Sequence, residues 1–154
     1  MDENEYRDTC RTVNPFPCSF RKAMLARQCG CEYLVHHHIA EREALGCAMP
    51  SAQADCERLL DFFRRNARFA LKLVGTPTAP LPHGKEIKVQ VGGLRGIAQA
   101  VARDDATREI GNVSSLVRKA MTQYGSMEKL PHADIIKEIA HHEGRPRRGR
   151  RRRG

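Results

Sequence analysis

Residues 10–56 read CRTVNPFPCSFRKAMLARQCGCEYLVHHHIAEREALGCAMPSAQADC. All six cysteines of the 154-residue chain lie in this stretch: Cys10, Cys18, Cys29, Cys31, Cys47 and Cys56. Three consecutive histidines, His36, His37 and His38, lie in the middle of it. Thiol and imidazole side chains are the groups that hold zinc and, with thiols predominating, iron–sulfur clusters. The stretch therefore predicts a metal-binding or iron–sulfur-binding region.

The composition indicates a globular chain with a basic tail. Hydrophobic residues make up 40% of the chain, which is typical of folded proteins rather than disordered ones. Aromatic residues are only 5% and Trp is absent, which disfavours a protein that reads nucleic acid by base stacking. The net charge is +9, but seven of the 27 basic residues are arginines of residues 145–154, and the other 20 are set against 18 acidic residues. The excess charge therefore belongs to the tail and does not predict a basic binding face on the folded part.

Two features of the sequence predict a cytoplasmic protein. No segment is long and apolar enough to span a membrane, and the acidic start MDENEYRD does not resemble a secretory signal. Thiols stay reduced in the cytosol, where clustered cysteines are more often metal ligands than disulfides.

The N-terminal part is predicted to be helical. Residues 1–17 lack periodicity and predict an irregular arm, and a short helix is expected over 19–28. Apolar residues at a helical period predict a second helix over 31–45 and a third over 51–74. A short connection joins the last two, so we expect an antiparallel, cysteine-rich helical hairpin.

The C-terminal part is predicted to follow a proline-rich linker over residues 76–86. Ile87, Val89 and Val91 alternate with polar residues and predict one short strand. Helices are expected near 97–103, 113–124 and 132–142.

The predicted fold class is mainly α: a small helical domain with a Cys-rich N-terminal helical hairpin, one short strand and a C-terminal helical half. We expect that half to pack on Phe62 and Phe69. The predicted domain organisation is a cysteine-rich metal-binding helical region over 1–75, the linker, a strand-plus-helix region over 87–144 and a disordered Arg-rich tail over 145–154.

The cysteine spacing matches neither the paired CxxC of zinc ribbons nor the CxxCxxC run of bacterial ferredoxins. The predicted metal ligands are Cys18, Cys31, Cys47 and Cys56. Accessory or alternative ligands are Cys10, Cys29 and His38. The absence of CxxC pairs favours an iron–sulfur cluster slightly over Zn²⁺.

The expected helical hairpin presents an obstacle to this site. A helix over 31–45 is about 21 Å long, which places Cys31 at the end remote from Cys47 and Cys56. Two interpretations without metal therefore stay open: the cysteines pack as small buried hydrophobes, or disulfides staple the hairpin.

Two further patterns are weaker. His38 and Glu41 lie three residues apart, as a di-iron carboxylate site requires on a helix. Gly92, Gly93 and Gly96 have the outline of a phosphate-binding turn, although a tight strand-to-helix turn is favoured.

No Ser-His-Asp or Cys-His catalytic arrangement stands out, so we expect no enzyme, apart from a redox role of a bound cluster. The expected function is a small cytosolic iron–sulfur- or zinc-binding protein with a regulatory or accessory role. The tail arginines are expected to bind nucleic acid or an acidic partner, the alternative being a solubilising tail. These are Arg145, Arg147, Arg148, Arg150, Arg151, Arg152 and Arg153. The alternative function is a non-metal structural or assembly protein whose cysteines pack or staple the hairpin.

Overall fold

The structure, a computed structural model, describes residues 2–102 and 110–142. Within these residues it contains six α-helices and one two-stranded antiparallel sheet, so the predicted mainly α class is confirmed. The elements are α1 (Glu3–Val13), α2 (Arg21–Leu25), β1 (Leu34–Ile39), β2 (Arg42–Cys47), α3 (Pro50–Ala70), α4 (His83–Val101), α5 (Val113–Tyr124) and α6 (His132–His141). A 3₁₀ turn, Met127–Lys129, lies between the last two helices.

The predicted irregular arm is wrong in most of its length, because α1 occupies it. The Asp2 carboxylate accepts a hydrogen bond of 2.8 Å from the Glu5 backbone N–H and so caps the helix. Glu3 and Glu5 in the first turn interact favourably with the positive end of the helix dipole.

The predicted helical hairpin is also wrong: its first arm is a β-hairpin, and only its second arm, α3, is helical. β1 pairs with β2 from Leu34 opposite Cys47 to Ile39 opposite Arg42. The connecting turn contains Ala40 with φ of 55°, a position usually given to Gly or Asn. The apolar residues of 31–45 fit a helical stripe about as well as a strand, so the sequence carries no clear hairpin signal.

The strand predicted at residues 87–91 is wrong, because α4 is one continuous helix that begins inside the predicted linker. Gly92 and Gly96 allow close packing against α6. A Cβ at Gly92 would lie 2.6 Å from Ile139 Cα, and one at Gly96 would lie 2.8 Å from Ile135 Cα. These glycines therefore serve helix packing, and the predicted glycine turn, phosphate-binding or structural, does not form.

The hydrophobic core draws residues from both halves of the chain. Phe20, beside α2, meets Phe63 of α3 edge-on at a centroid distance of 6.2 Å. Phe62 packs on the His132 ring at 4.8 Å, as the prediction for this part of α3 requires. Phe69, in contrast, is 89% exposed, so its predicted role in packing is wrong.

A buried polar cluster joins α2, α3 and α4, and we call it the Glu86 network. The Glu86 carboxylate is 1% exposed and accepts from Arg64 Nε at 2.9 Å and from the Leu81 N–H at 3.0 Å. Gln90 donates to Glu86 at 3.1 Å, and its Oε1 accepts from the Ala23 N–H at 3.0 Å. Burial raises the pKa of Glu86, but these hydrogen bonds outweigh it and leave the pKa below its usual value.

Candidate metal centre

Four cysteine side chains line one small cavity between the β-hairpin and the first turns of α3 and α5. The cavity has a volume of about 20 Å³. Its cysteines are Cys18, Cys31, Cys47 and Cys56, the four predicted as ligands. The structure thus brings the predicted set together around one space, and their binding of a metal stays a prediction.

The hairpin places Cys31 and Cys47 at the same end of the sheet. Cys31 lies just before β1 and accepts a hydrogen bond of 3.2 Å from the Leu34 N–H, while Cys47 closes β2 opposite Leu34. The distance objection raised by a helical hairpin therefore disappears, because a β-hairpin returns the chain to its starting point.

The preceding segment brings Cys18 to the same place. The Cys18 N–H donates to the Leu45 carbonyl at 2.9 Å, and the Cys47 N–H donates to the Phe16 carbonyl at 2.8 Å. Residues 16–18 thus lie along the free edge of β2. Cys56 reaches the cavity from the second turn of α3.

The start of α5 forms another wall of the cavity, which the sequence reasoning missed. Gly30 exchanges two backbone hydrogen bonds of 2.9 Å with this region, donating to Ile110 and accepting from Val113. Val113 and Ser114 line the cavity. The one available signal was Asn112, whose side chain caps α5 by accepting from the Ser115 N–H at 3.4 Å.

None of the alternative ligands lines the cavity. Cys10 is in α1 and lines a separate groove against β2. Cys29 does not line the cavity, and its thiol is 3.5 Å from Met24 Sδ. His38 is exposed on β1, and Glu41 is in the hairpin turn, so the helical pairing required by a di-iron site is absent.

Helix ends and a backbone donor make the cavity favourable for negative charge. Ala52 and Gln53 from the first turn of α3, and Ser114 from the first turn of α5, line it. The amino-terminal turns of two helices, where helix dipoles favour negative charge, therefore form part of the cavity wall. The Phe20 backbone N–H also hydrogen-bonds the Cys18 sulfur and lowers its pKa.

Burial has the opposite effect on these thiols and outweighs that hydrogen bond. It raises the pKa of Cys18 to about 11, and it raises the pKa values of Cys29 and Cys56 to about 12. Neighbouring thiols raise all three further. Without a cation these groups are therefore protonated at neutral pH. A bound metal ion reverses this, because it deprotonates the thiols that ligate it.

The thiols are not arranged as a finished metal site. Across residues 2–102 and 110–142, no three Cys, His, Asp or Glu side chains form a group that could hold a metal ion. The six cysteines are free thiols, and Cys47 Sγ donates to the Met49 carbonyl at 3.3 Å. Metal binding here requires the side chains to turn toward one centre.

Comparisons with protein-family models, with curated proteins and with solved structures give no match to this chain. The function is therefore inferred from its own geometry. In the part of the chain that the structure describes, every helix is too short or too polar to cross a bilayer. The seven tail arginines lie outside the described residues.

Proposed function

We propose that this chain is a small cytoplasmic metal-thiolate protein with an accessory or regulatory role, in which Cys18, Cys31, Cys47 and Cys56 hold one Zn²⁺ ion. The observation that carries the proposal is the meeting of these four thiols, from four separate segments, around one small cavity. Four cysteines are a common ligand set of structural zinc.

The size of the cavity favours one ion over a cluster. A volume of about 20 Å³ accommodates about one water-sized particle. An iron–sulfur cluster contains several iron and sulfide atoms and needs more room than one ion. Zinc therefore replaces the cluster as the preferred occupant, and the cluster becomes an outcome of the test.

A metal in this position would join four segments of the chain. The ion would connect the segment before α2, the residues where the hairpin begins and ends, and α3. Zn²⁺ sites closed by four protein ligands stabilise folded structure and leave no position for substrate. The proposed role of the ion is therefore to stabilise a binding module, with no catalytic step.

Metal analysis of the full-length protein, purified with reductant and without oxygen, tests this proposal. We expect about one Zn²⁺ per chain. Cys18→Ser, Cys31→Ser, Cys47→Ser and Cys56→Ser should each reduce the zinc content, because each removes a ligand. Cys10→Ser is the matched control and should retain zinc, because Cys10 lies in α1 outside the cavity.

Three other results would change the proposal. Iron with acid-labile sulfide, lost from the same four variants, would replace zinc with an iron–sulfur cluster. Protein without metal would contradict the proposal and support the alternative of a structural or assembly protein whose thiols pack the hairpin. An equal loss of zinc from Cys10→Ser would show that the cysteine cavity is not the zinc site.

The second part of the proposal concerns the tail. Seven arginines without an acidic residue in residues 145–154 suit the phosphates of nucleic acid or the carboxylates of an acidic partner. Deletion of residues 145–154 should abolish binding to a random-sequence RNA duplex and leave zinc in place. Polyglutamate in place of RNA separates the two partner classes, and unchanged binding of both after deletion would contradict this part.

A further inference from the structure

The outer end of the β-hairpin carries two histidines and a carboxylate on one face of the sheet. Successive strand residues alternate between faces, so His36 and His38 lie on one side of β1 and His37 on the other. Glu43 lies directly opposite His38 in the strand register and therefore on the same face as both. Two imidazoles and one carboxylate thus lie on one face of the sheet, in the cross-strand pairs His36–Leu45 and His38–Glu43.

The Glu43 carboxylate contacts the imidazole of His36. Oε1 of Glu43 contacts Nδ1 of His36. A carboxylate that accepts the Nδ1–H fixes the tautomer and leaves the lone pair of Nε2 available. This pairing is the usual outer partner of a metal-bound imidazole. His36 is therefore oriented as a ligand with its side chain 55% exposed.

His38 lies within reach of the same ion. Residues two apart in a strand are separated by about 6.6 Å. Imidazole rings are long enough to meet at one ion across this distance, at the usual Zn–N length of about 2.0–2.1 Å. His38 is exposed, so its ring is accessible from solvent.

His37 has different surroundings, although it lies between the other two in sequence. Its Nε2 lies 3.2 Å from the position of a Cβ on Gly46, beside the Asn14 side chain. On the same face, the Arg42 guanidinium stacks on the Tyr6 ring of α1 at 4.3 Å. His37 therefore lies on the face that α1 and the segment after it cover.

We propose that His36 and His38 form an exposed two-imidazole site for a borderline divalent cation such as Zn²⁺, Ni²⁺ or Cu²⁺, with Glu43 as the residue that positions His36. Imidazole is a suitable ligand for these ions, and water completes the coordination. Neither histidine lines the cysteine cavity, so the site is separate from it. It lies on the same sheet face as Cys47, nearer the hairpin turn.

A Zn²⁺ titration of the reduced full-length protein, followed through the ring ¹⁵N signals of the three histidines, tests the site. The Nε2 signals of His36 and His38 should shift together with one dissociation constant, and the His37 signal should stay in place. His36→Ala or His38→Ala should abolish the shift of the remaining partner. Glu43→Gln should weaken binding by about 10–100-fold, because it removes only the orienting contact.

His37→Ala is the matched control and should leave the affinity unchanged. A loss in His37→Ala equal to that in His36→Ala would overturn the proposal, because it would indicate adventitious binding by a flexible histidine run. Absence of any ring shift would overturn it as well. The titration in Cys56→Ser separates this site from the cysteine cavity, because the histidine shifts should persist there whether or not the cavity binds zinc.

Discussion

The cysteine cavity and the Glu86 network both place polar groups inside a small protein, but they satisfy those groups to different degrees. The Glu86 carboxylate receives donors from Arg64, Leu81 and Gln90, so the protein itself completes its environment. The four thiols lie around a common cavity, where burial and the neighbouring thiols raise the pKa values of Cys18 and Cys56, and one backbone donor, Phe20 N–H, contacts Cys18. The buried charge of the Glu86 network is thus compensated within the protein, whereas the proposal assigns a cation to the cysteine cavity.

The largest expected effect on stability comes from disrupting the Glu86 network. Glu86→Ala leaves the Arg64 guanidinium, whose side chain is 12% exposed, without its charged partner. Removal of one member of a buried ion pair costs about 3–5 kcal/mol. We expect a fall of this size in the free energy of unfolding, measured by urea denaturation and independent of added zinc.

Glu57→Ala is the control, because Glu57 is an exposed residue of α3 and its loss should change stability by no more than about 0.5 kcal/mol. Equal stabilities of the two variants would show that the Glu86 network does not support the core.

A smaller loss is expected where α4 and α6 meet. Gly92→Ala places a Cβ 2.6 Å from Ile139 Cα, a backbone atom that cannot turn aside. Overpacking of this kind costs about 1–3 kcal/mol. Gly84→Ala, in the first turn of the same helix and open on all sides, should leave thermal stability unchanged or raise it slightly. A loss in Gly84→Ala equal to that in Gly92→Ala would contradict the close-packing role.

Stability should also depend on pH through Glu86, with a smaller effect than the substitutions above. Because the pKa of folded Glu86 lies below its ordinary value of 4.5, its contribution is fully present above pH 4.5. The contribution is lost as the pH falls through the lowered folded pKa. Wild-type protein should therefore lose stability in acid more steeply than Glu86→Gln, as measured by urea denaturation at several pH values. Parallel pH profiles would exclude Glu86 as a source of acid sensitivity.

The helices α3, α5 and α6 were predictable because apolar stripes and end signals agree. Asn112 and Gly125 bracket α5, and Pro131 precedes α6. Only the end of α4 was predicted, as part of the helix near 97–103, because the buried face of its earlier turns carries Glu86, Gln90 and glycines where an apolar stripe was sought. Those residues make sense only beside Arg64 and α6, which the sequence alone does not place.

The cysteines of the candidate site could be predicted from the sequence, but their arrangement in space could not. Confinement of the cysteines to residues 10–56 pointed to the right region. The hairpin that brings Cys31 beside Cys47 was hidden, because Ala40 and Glu41 form a two-residue turn without a Gly or Asn. The contribution of α5 depends on long-range contacts, and Asn112 marks the start of that helix without showing what it packs against.

The most direct test of the contrast is amide hydrogen exchange of the reduced full-length protein, with one equivalent of Zn²⁺ and with a chelator. Ligand binding slows exchange in the segments whose opening it opposes. We expect zinc to slow exchange across β1, β2 and the first turns of α3, and to leave exchange at the centre of α4 unchanged. Identical exchange of the hairpin in both conditions would contradict the claim that a metal ion completes the cysteine region.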